Sequence, residues 1–545
     1  MEDQSRQNLL SDTERGVAPN PPIATRTVIA TPTKKNQPQS SSLNPLHDDN
    51  DDNITMPQSN VSVYLCCCCC IAPKNYDKEY FPNPRECTNV AFALAWALQF
   101  FSGLIYFAYL AIAHSSEWHS NFKKLTKNYM TDRQRAHFFG ICGATVGTTA
   151  VVIIGMFAFL RYQTHCAIRM SLAVVWCAFV VLTYVLFTIP SYVNGCLMIL
   201  VCIGLPLSLR YFRSKFGVTA ALIRTSSTVV WNRVGLLICA FTSIGVQMVW
   251  MLMCGIVFVQ LKTTFEQRLS LLVLLFFQYV WTAELIRYTM TYLTSSVVAN
   301  WVCFDSKDLE LRTAHIKDRG SLAMYPTAAA IRYAAWHNLG VMACASLLVA
   351  LIQTLRFIIA MLDKDGKGGC ETCLMDCILR CIEGQIRYMN NYAVTYSAIF
   401  GLGFLSSTKQ FMEQLQRRQG FQTVYNDDVT GYVVFGCSLV VASVSSTTTG
   451  LVAWAAFDIV RVDQVMLVAF FFGLFAGLAA LQVIAAAVSA LFVVSLHEET
   501  QRVFQRNHPD EYRELRGVLD YATGAEIKEF QYCSGDGCCC PIICI

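Results

Sequence analysis

FQYVWTAELIRYTMTYLTSSVVANW, residues 277–301, is long and apolar enough to cross a bilayer, yet it carries Glu284 and Arg287 near its middle. A charge at that depth costs at least ~2.5 kcal/mol, so it normally faces a bundle interior or a polar pathway rather than lipid. With about 100° of rotation per residue, Trp281, Glu284, Tyr288 and Tyr292 fall on one stripe of the helix. A carboxylate among aromatic faces suits an organic cation, which the ring quadrupoles attract and the acid neutralises. Alternatively, Glu284 and Arg287 simply pair with each other three residues apart. The segment by itself leaves both readings open.

The rest of the chain has the same character. Its 545 residues are 54% hydrophobic and only 15% charged, too apolar for a soluble globule. Apolar runs of about 18 residues or more recur along it, each a candidate spanning helix. The fold class expected is all-α, a polytopic membrane protein of about ten transmembrane helices. The net charge of +4 is small and spread over short loops, which argues against a nucleic-acid partner. No P-loop, G-x-S-x-G, H-E-x-x-H or dinucleotide fingerprint is present, so no enzyme activity, catalytic residue, metal or cofactor is expected.

In chain order, residues 1–64 are polar and poor in large apolar side chains, the composition of a disordered tail. Residues 65–88 form a Cys-rich, membrane-proximal segment. Its block Cys66, Cys67, Cys68, Cys69 and Cys70 suits reversible S-acylation, as do Cys538, Cys539 and Cys540 near the other end. Adjacent cysteines lack the spacing of a metal site. The membrane domain is placed at 89–496, with spans at 89–113, 138–160, 167–188, 192–209, 234–260, 270–298, 339–361, 392–407, 429–454 and 465–494. Residues 210–232 mix Arg210, Arg213, Lys215 and Arg224 with apolar side chains and read as an interfacial amphipathic helix. Residues 363–391 carry Cys370, Cys373, Cys377 and Cys381 on one helical face, open to lipidation, disulfide formation or plain packing in a membrane-skimming helix. The eighth span is short and interrupted by Gly401 and Gly403, a form in which carriers expose backbone to cargo. Ser443 to Thr449 in the ninth span suit close helix packing. Residues 497–545 form a short C-terminal tail. Ten spans place both termini on one side, taken as cytosolic because the inner loops then hold the excess of Lys and Arg.

Several segments, in order, resemble the choline transporter-like proteins (solute carrier family 44), closer to their fungal and protist branch. Arg85-Glu86-Cys87-Thr88-Asn89-Val90 is similar to the R-x-C-T-D motif before that family's first span, with Asn89 in place of Asp. Trp281-Thr282-Ala283-Glu284 resembles its sixth span. Leu339-Gly340, Ser346 and Arg356 resemble its seventh, with Ala345 where the family has Gly. Cys381-Ile382-Glu383, Tyr388, Asn390, Phe404, Ser407 and Lys409 fit the region that follows. Leu496-His497-Glu498-Glu499 and Asn507-His508-Pro509 fit the end of the fungal branch.

The resemblance implies a carrier of choline or a related organic cation, working with membrane lipids as its surroundings and feeding phospholipid synthesis. It implies residence in the plasma membrane, with an organelle membrane as the alternative. Trp281, Glu284 and Tyr288 would then form one wall of the cargo site, and Tyr392 and Tyr396 the other. Arg287 and Arg356 would gate the path or pair with acids. A carrier of the same fold for another metabolite or lipid, and an adaptor with acylated tails, are the competing readings. The cysteine blocks make one prediction of their own. Neutral hydroxylamine, which cleaves thioesters, will shift the gel mobility of protein isolated from cells, and an unchanged mobility rules out thioester-linked lipid on them.

Overall fold

The computed structural model describes residues 88–113, 132–188, 192–211, 216–264, 269–305, 325–362, 370–418, 420–457 and 462–515. Among these the regular structure is entirely helical. The helices are α1 Val90–Ala113, α2 Asp132–Tyr162, α3 Thr164–Thr188, α4 Tyr192–Tyr211, α5 Phe216–Asn232, α6 Val234–Thr264 and α7 Leu269–Phe304. There follow α8 Pro326–Trp336, α9 Leu339–Leu362, α10 Cys370–Phe400, α11 Phe404–Arg418, α12 Gly420–Phe457, α13 Val462–Leu496 and α14 Glu498–Asn507.

Among the described residues, eight helices are long and apolar enough to cross a membrane, and they coincide with eight of the predicted spans. The fourth predicted span is the 20-residue α4, which keeps Pro206 inside it. The eighth is different in kind. There is no separate span at 392–407: α10 runs unbroken for 31 residues from Cys370 to Phe400, stops at residues 401–403, and α11 begins at Phe404. The charged stretch that reads as a membrane surface is tolerated because its charges pair along the helix, Arg380 with Asp376 and Arg387 with Glu383, each four residues apart.

A second correction concerns α5. Thr219, Ala220, Leu222, Ile223, Ser226 and Val229 are buried, packed against α13 and α2, so the helix is not laid on the outside of the bundle. Its small side chains permit close approach, and Arg224 is left on the outer face beside Glu514. The same chemistry joins α12 to α13. A side chain added at Gly473 would meet Ala442 Cα at 3.0 Å, and one at Gly477 would meet Ser438 Cα at 3.2 Å. Ser446 Oγ donates to Met466 O at 2.7 Å across that interface, while Ser443, Thr447 and Thr448 bond back to their own helix.

The two ends of the described chain fasten α7. At the first, Thr88 N–H donates to His337 O at 3.1 Å and Thr88 Oγ1 to Asn338 Oδ1 at 3.0 Å. Asn338 Nδ2 in turn donates to Tyr292 Oη of α7 at 2.6 Å. Asn89 stands at φ 55, a left-handed backbone that asparagine tolerates far better than most residues. Its carbonyl lies against Gly340, where a Cβ would come within 2.2 Å of it. At the other end, the first part of the expected C-terminal tail, up to residue 515, is docked. Asn507 Nδ2 donates to Val302 O and Cys303 O, both at 2.9 Å, and His508 stacks on Trp301 at 3.8 Å. The last carbonyls of a helix have no partner within it, so Asn507 acts as a cap supplied from 204 residues away. Residues 1–87 and 516–545, including both acylation blocks, lie outside the described residues.

These contacts predict a reversal of sign. Gly245→Ala, at a helical glycine with open space around it, will raise thermal stability in detergent, as Gly-to-Ala exchange normally does by up to ~1 kcal/mol. Gly340→Ala will lower it, because Asn89 must move. Equal effects at the two sites would show that the N-terminal contact bears no load.

Candidate functional site

The chemistry gathers where α7, α9 and α10 meet. Glu284 is 8% exposed, and both of its oxygens are taken. Oε2 accepts from Arg287 Nε at 2.7 Å, one turn along α7, and Oε1 accepts from Arg387 Nη2 of α10 at 2.6 Å. Arg387 Nε also donates to Glu383 Oε1 at 2.9 Å. Glu383 receives Gln353 Nε2 at 2.7 Å and Arg356 Nη1 at 2.6 Å, both from α9. Arg356 Nε reaches Asp376 Oδ1 at 2.9 Å, and Arg380 Nε closes the series on Asp376 Oδ2 at 2.8 Å.

The result is a line of alternating charges, four arginines and three carboxylates, running from an enclosed end to an exposed one. Side-chain exposure is 10% at Glu284 and Glu383, against 36% at Asp376 and 67% at Arg380. Asp376 lies outside the candidate spans, and the hydrogen bond from Arg356, followed by that from Arg380, holds its carboxyl below the usual carboxylate range. Its contribution to stability is therefore present at neutral pH and fades as pH falls through that lowered value.

Aromatic side chains line the same elements. The Arg287 guanidinium sits 4.5 Å from the Tyr288 ring centroid, a cation–π distance. Trp281 is buried and donates from Nε1 to Ala343 O at 3.2 Å, pinning α7 to α9. Asn390 Nδ2 does the same for α10, donating to Ala345 O at 2.8 Å. Tyr392 and Tyr396 are buried on α10. The first stacks on Phe411 of α11 at 4.6 Å, and the second has its Oη 3.2 Å from His497 Nε2.

Of the residues the sequence singled out, the structure joins Glu284 and Arg287 directly, as the pairing alternative has it, and places Arg356 on two acids. The Glu284–Arg387 bond sets the stripe of Trp281 and Tyr288 on α7 beside α10, the helix that carries Tyr392 and Tyr396. Sequence reasoning missed Arg387, Asp376, Phe411 and the partner role of His497. The four-residue spacings within 376–387 were the available signal. On the cysteine face, Cys377 is exposed. Among the described residues no group of three or more metal-ligating side chains is found.

The fold and this site define a class: a multi-pass helical membrane protein whose central helices are tied by a buried ion network. A family model described as plasma-membrane choline transporter matches residues 196–500, more than half of the sequence. The chain belongs to the choline transporter-like family. A CTL-like protein of Dictyostelium discoideum is 24% identical over 290 residues, 52% of this chain and 50% of that protein. Protein PNS1 of Yarrowia lipolytica is 30% identical over 116 residues, 20% of each chain. Choline transporter-like 2 of Anopheles gambiae is 25% identical over 139 residues, 24% of this chain and 18% of that protein. The matched segments thus span half or less of these relatives.

The network makes a stability prediction. Glu284→Gln leaves Arg287 and Arg387 buried against a neutral amide, and breaking a buried pair from one side costs about 3–5 kcal/mol. Asp376→Asn removes a far more exposed charge and costs less than ~1 kcal/mol. Thermal unfolding in the same detergent will show a drop for the first several times that for the second, and similar drops would mean that Glu284 is not the anchor.

Proposed function

We propose that this protein is a carrier that moves choline, or a small organic cation like it, across a membrane by alternating access, supplying phospholipid synthesis. The observation that carries the reading is the family match over residues 196–500, which takes in every aromatic and charged residue of the site. Physical chemistry supports it. A quaternary ammonium cannot shed its charge, so a carrier must surround it with aromatic faces and a compensating acid. Trp281, Glu284, Tyr288, Tyr392 and Tyr396 supply those groups, with Arg287 paired to Glu284, and with Arg356 on Glu383 and Asp376. The plasma membrane is the proposed location, and acylation of the two cysteine blocks the proposed modification.

A second reading is a carrier of the same fold for another metabolite or lipid. It is favoured by one observation: both Glu284 oxygens are already held by guanidinium groups.

Uptake of radiolabelled choline into proteoliposomes separates the two. Saturable uptake, inhibited by hemicholinium-type cations, is the expected result. Trp281→Ala will weaken apparent affinity by up to ~30-fold, the equivalent of about 2 kcal/mol for a desolvated cation–π contact. Uptake no greater than in empty liposomes would turn the assignment to the second reading.

A further inference from the structure

Tyr388, Tyr392 and Tyr396 recur every four residues along α10 and therefore share one face. One ring from outside that helix sits against all three. Phe411 of α11 is wholly buried. Its centroid lies 6.0 Å from Tyr388, 4.6 Å from Tyr392 and 5.9 Å from Tyr396. Tyr392 presents its face, parallel to Phe411 within 1°. A cation bound by aromatic rings sits within about 6 Å of their centroids, the radius that Phe411 occupies here. Arg387, the guanidinium that holds Glu284, is the residue immediately before Tyr388.

The link between the two helices is a short break in the helical backbone. Residues 401–403 are non-helical, and Gly401 takes φ 71, the left-handed stop that glycine provides at a helix end. Its N–H still donates to Ser397 O at 2.9 Å, and α11 restarts with Ser407 N–H on Gly403 O at 2.9 Å, so the break is confined to three residues. At Gly403 the nearest neighbours of an added Cβ are Thr88 and Asn89 at 3.9 Å, ordinary contact. His497, at the end of α13, bears on the same place: its ring is 4.8 Å from Phe400, the last residue of α10, and its Nε2 is 3.2 Å from Tyr396 Oη.

We propose that the tyrosine face of Tyr388, Tyr392 and Tyr396 is a binding site for a ring-sized organic cation, that Phe411 is an internal plug occupying it in this conformation, and that residues 401–403 are the hinge on which the plug withdraws. The cation's identity as choline rests on the function proposed above. The plug and hinge do not. Ligand and Phe411 compete for one space, so the apparent affinity is the intrinsic one reduced by the fraction of molecules with the plug withdrawn.

The test uses the full-length protein in lipid nanodiscs. Binding of radiolabelled choline is compared among the parent, Phe411→Ala and Phe411→Tyr. Removing the ring will tighten binding by about tenfold if a tenth of parent molecules are open, while the tyrosine variant stays near the parent. Parent-like affinity in Phe411→Ala overturns the plug. Absence of choline binding in all three overturns the cargo assignment, and the plug is then decided without choline. In Phe411→Cys, labelling by N-ethylmaleimide at position 411 is compared by mass spectrometry with labelling of Cys437, which is fully buried in the same molecule. Position 411 will react much faster than Cys437 if α11 swings. An equally slow rate, with Cys437 protected as in a folded protein, shows a fixed contact and overturns the proposal.

Discussion

One carboxylate shared by two guanidinium groups organises the centre of this protein. Glu284 lies in a helix long and apolar enough to span the bilayer, where an unpaired charge is strongly disfavoured. A single arginine one turn away would neutralise it without fixing anything beyond α7. The second, Arg387, comes from α10 and makes the pairing a constraint between helices. Because Arg387 also holds Glu383, and Glu383 holds Arg356 and Gln353 of α9, three helices are locked in one register by the requirement that no buried charge stand alone. This also explains the length of α10. Its polar half can continue the helix because each charge has a partner within reach.

The hydropathy of the chain carried the fold a long way, since a bilayer demands helices and their apolar lengths can be counted. It failed where burial is decided by partners rather than by composition. Glu383 and Arg387 look like a surface segment until Arg356 and Glu284 are brought alongside. The α5 helix looks interfacial because Arg224 lies among apolar residues, and its Ala, Ser and Thr face gives no hydropathic sign of fitting between α2 and α13. The site was legible only in part. Trp281, Glu284 and Tyr288 stand out as polar or aromatic groups within a span, whereas Phe411 is an ordinary phenylalanine until its stacking on Tyr392 is seen.

The segments that resemble the family sort by what they do. Thr88, Asn89 and Gly340 form one fastening, in which a left-handed asparagine lays its carbonyl on a glycine. Asn507 and His508 form another, bonding the buried carbonyls at the end of α7. Neither touches the ion network. Such residues preserve the bundle whatever it carries. Cargo has to be argued from the residues between those fastenings.

There the balance of charge sets a condition. Four arginines face three carboxylates, so a further cation cannot simply be added beside Glu284: it would meet a site already in positive excess. For a cationic cargo the consistent course is exchange, one cation for another. Arg387 is the group placed for it, since it bonds Glu284 through Nη2 and Glu383 through Nε and can keep the second acid while releasing the first. The freed carboxylate oxygen would then face the cargo with Tyr388 adjacent, so that Glu284 trades one cation partner for another. A neutral or anionic cargo needs no such exchange, because the network as it stands already offers it guanidinium groups. The physical question that separates the two proposed classes of cargo is therefore whether the Glu284–Arg387 bond opens during transport.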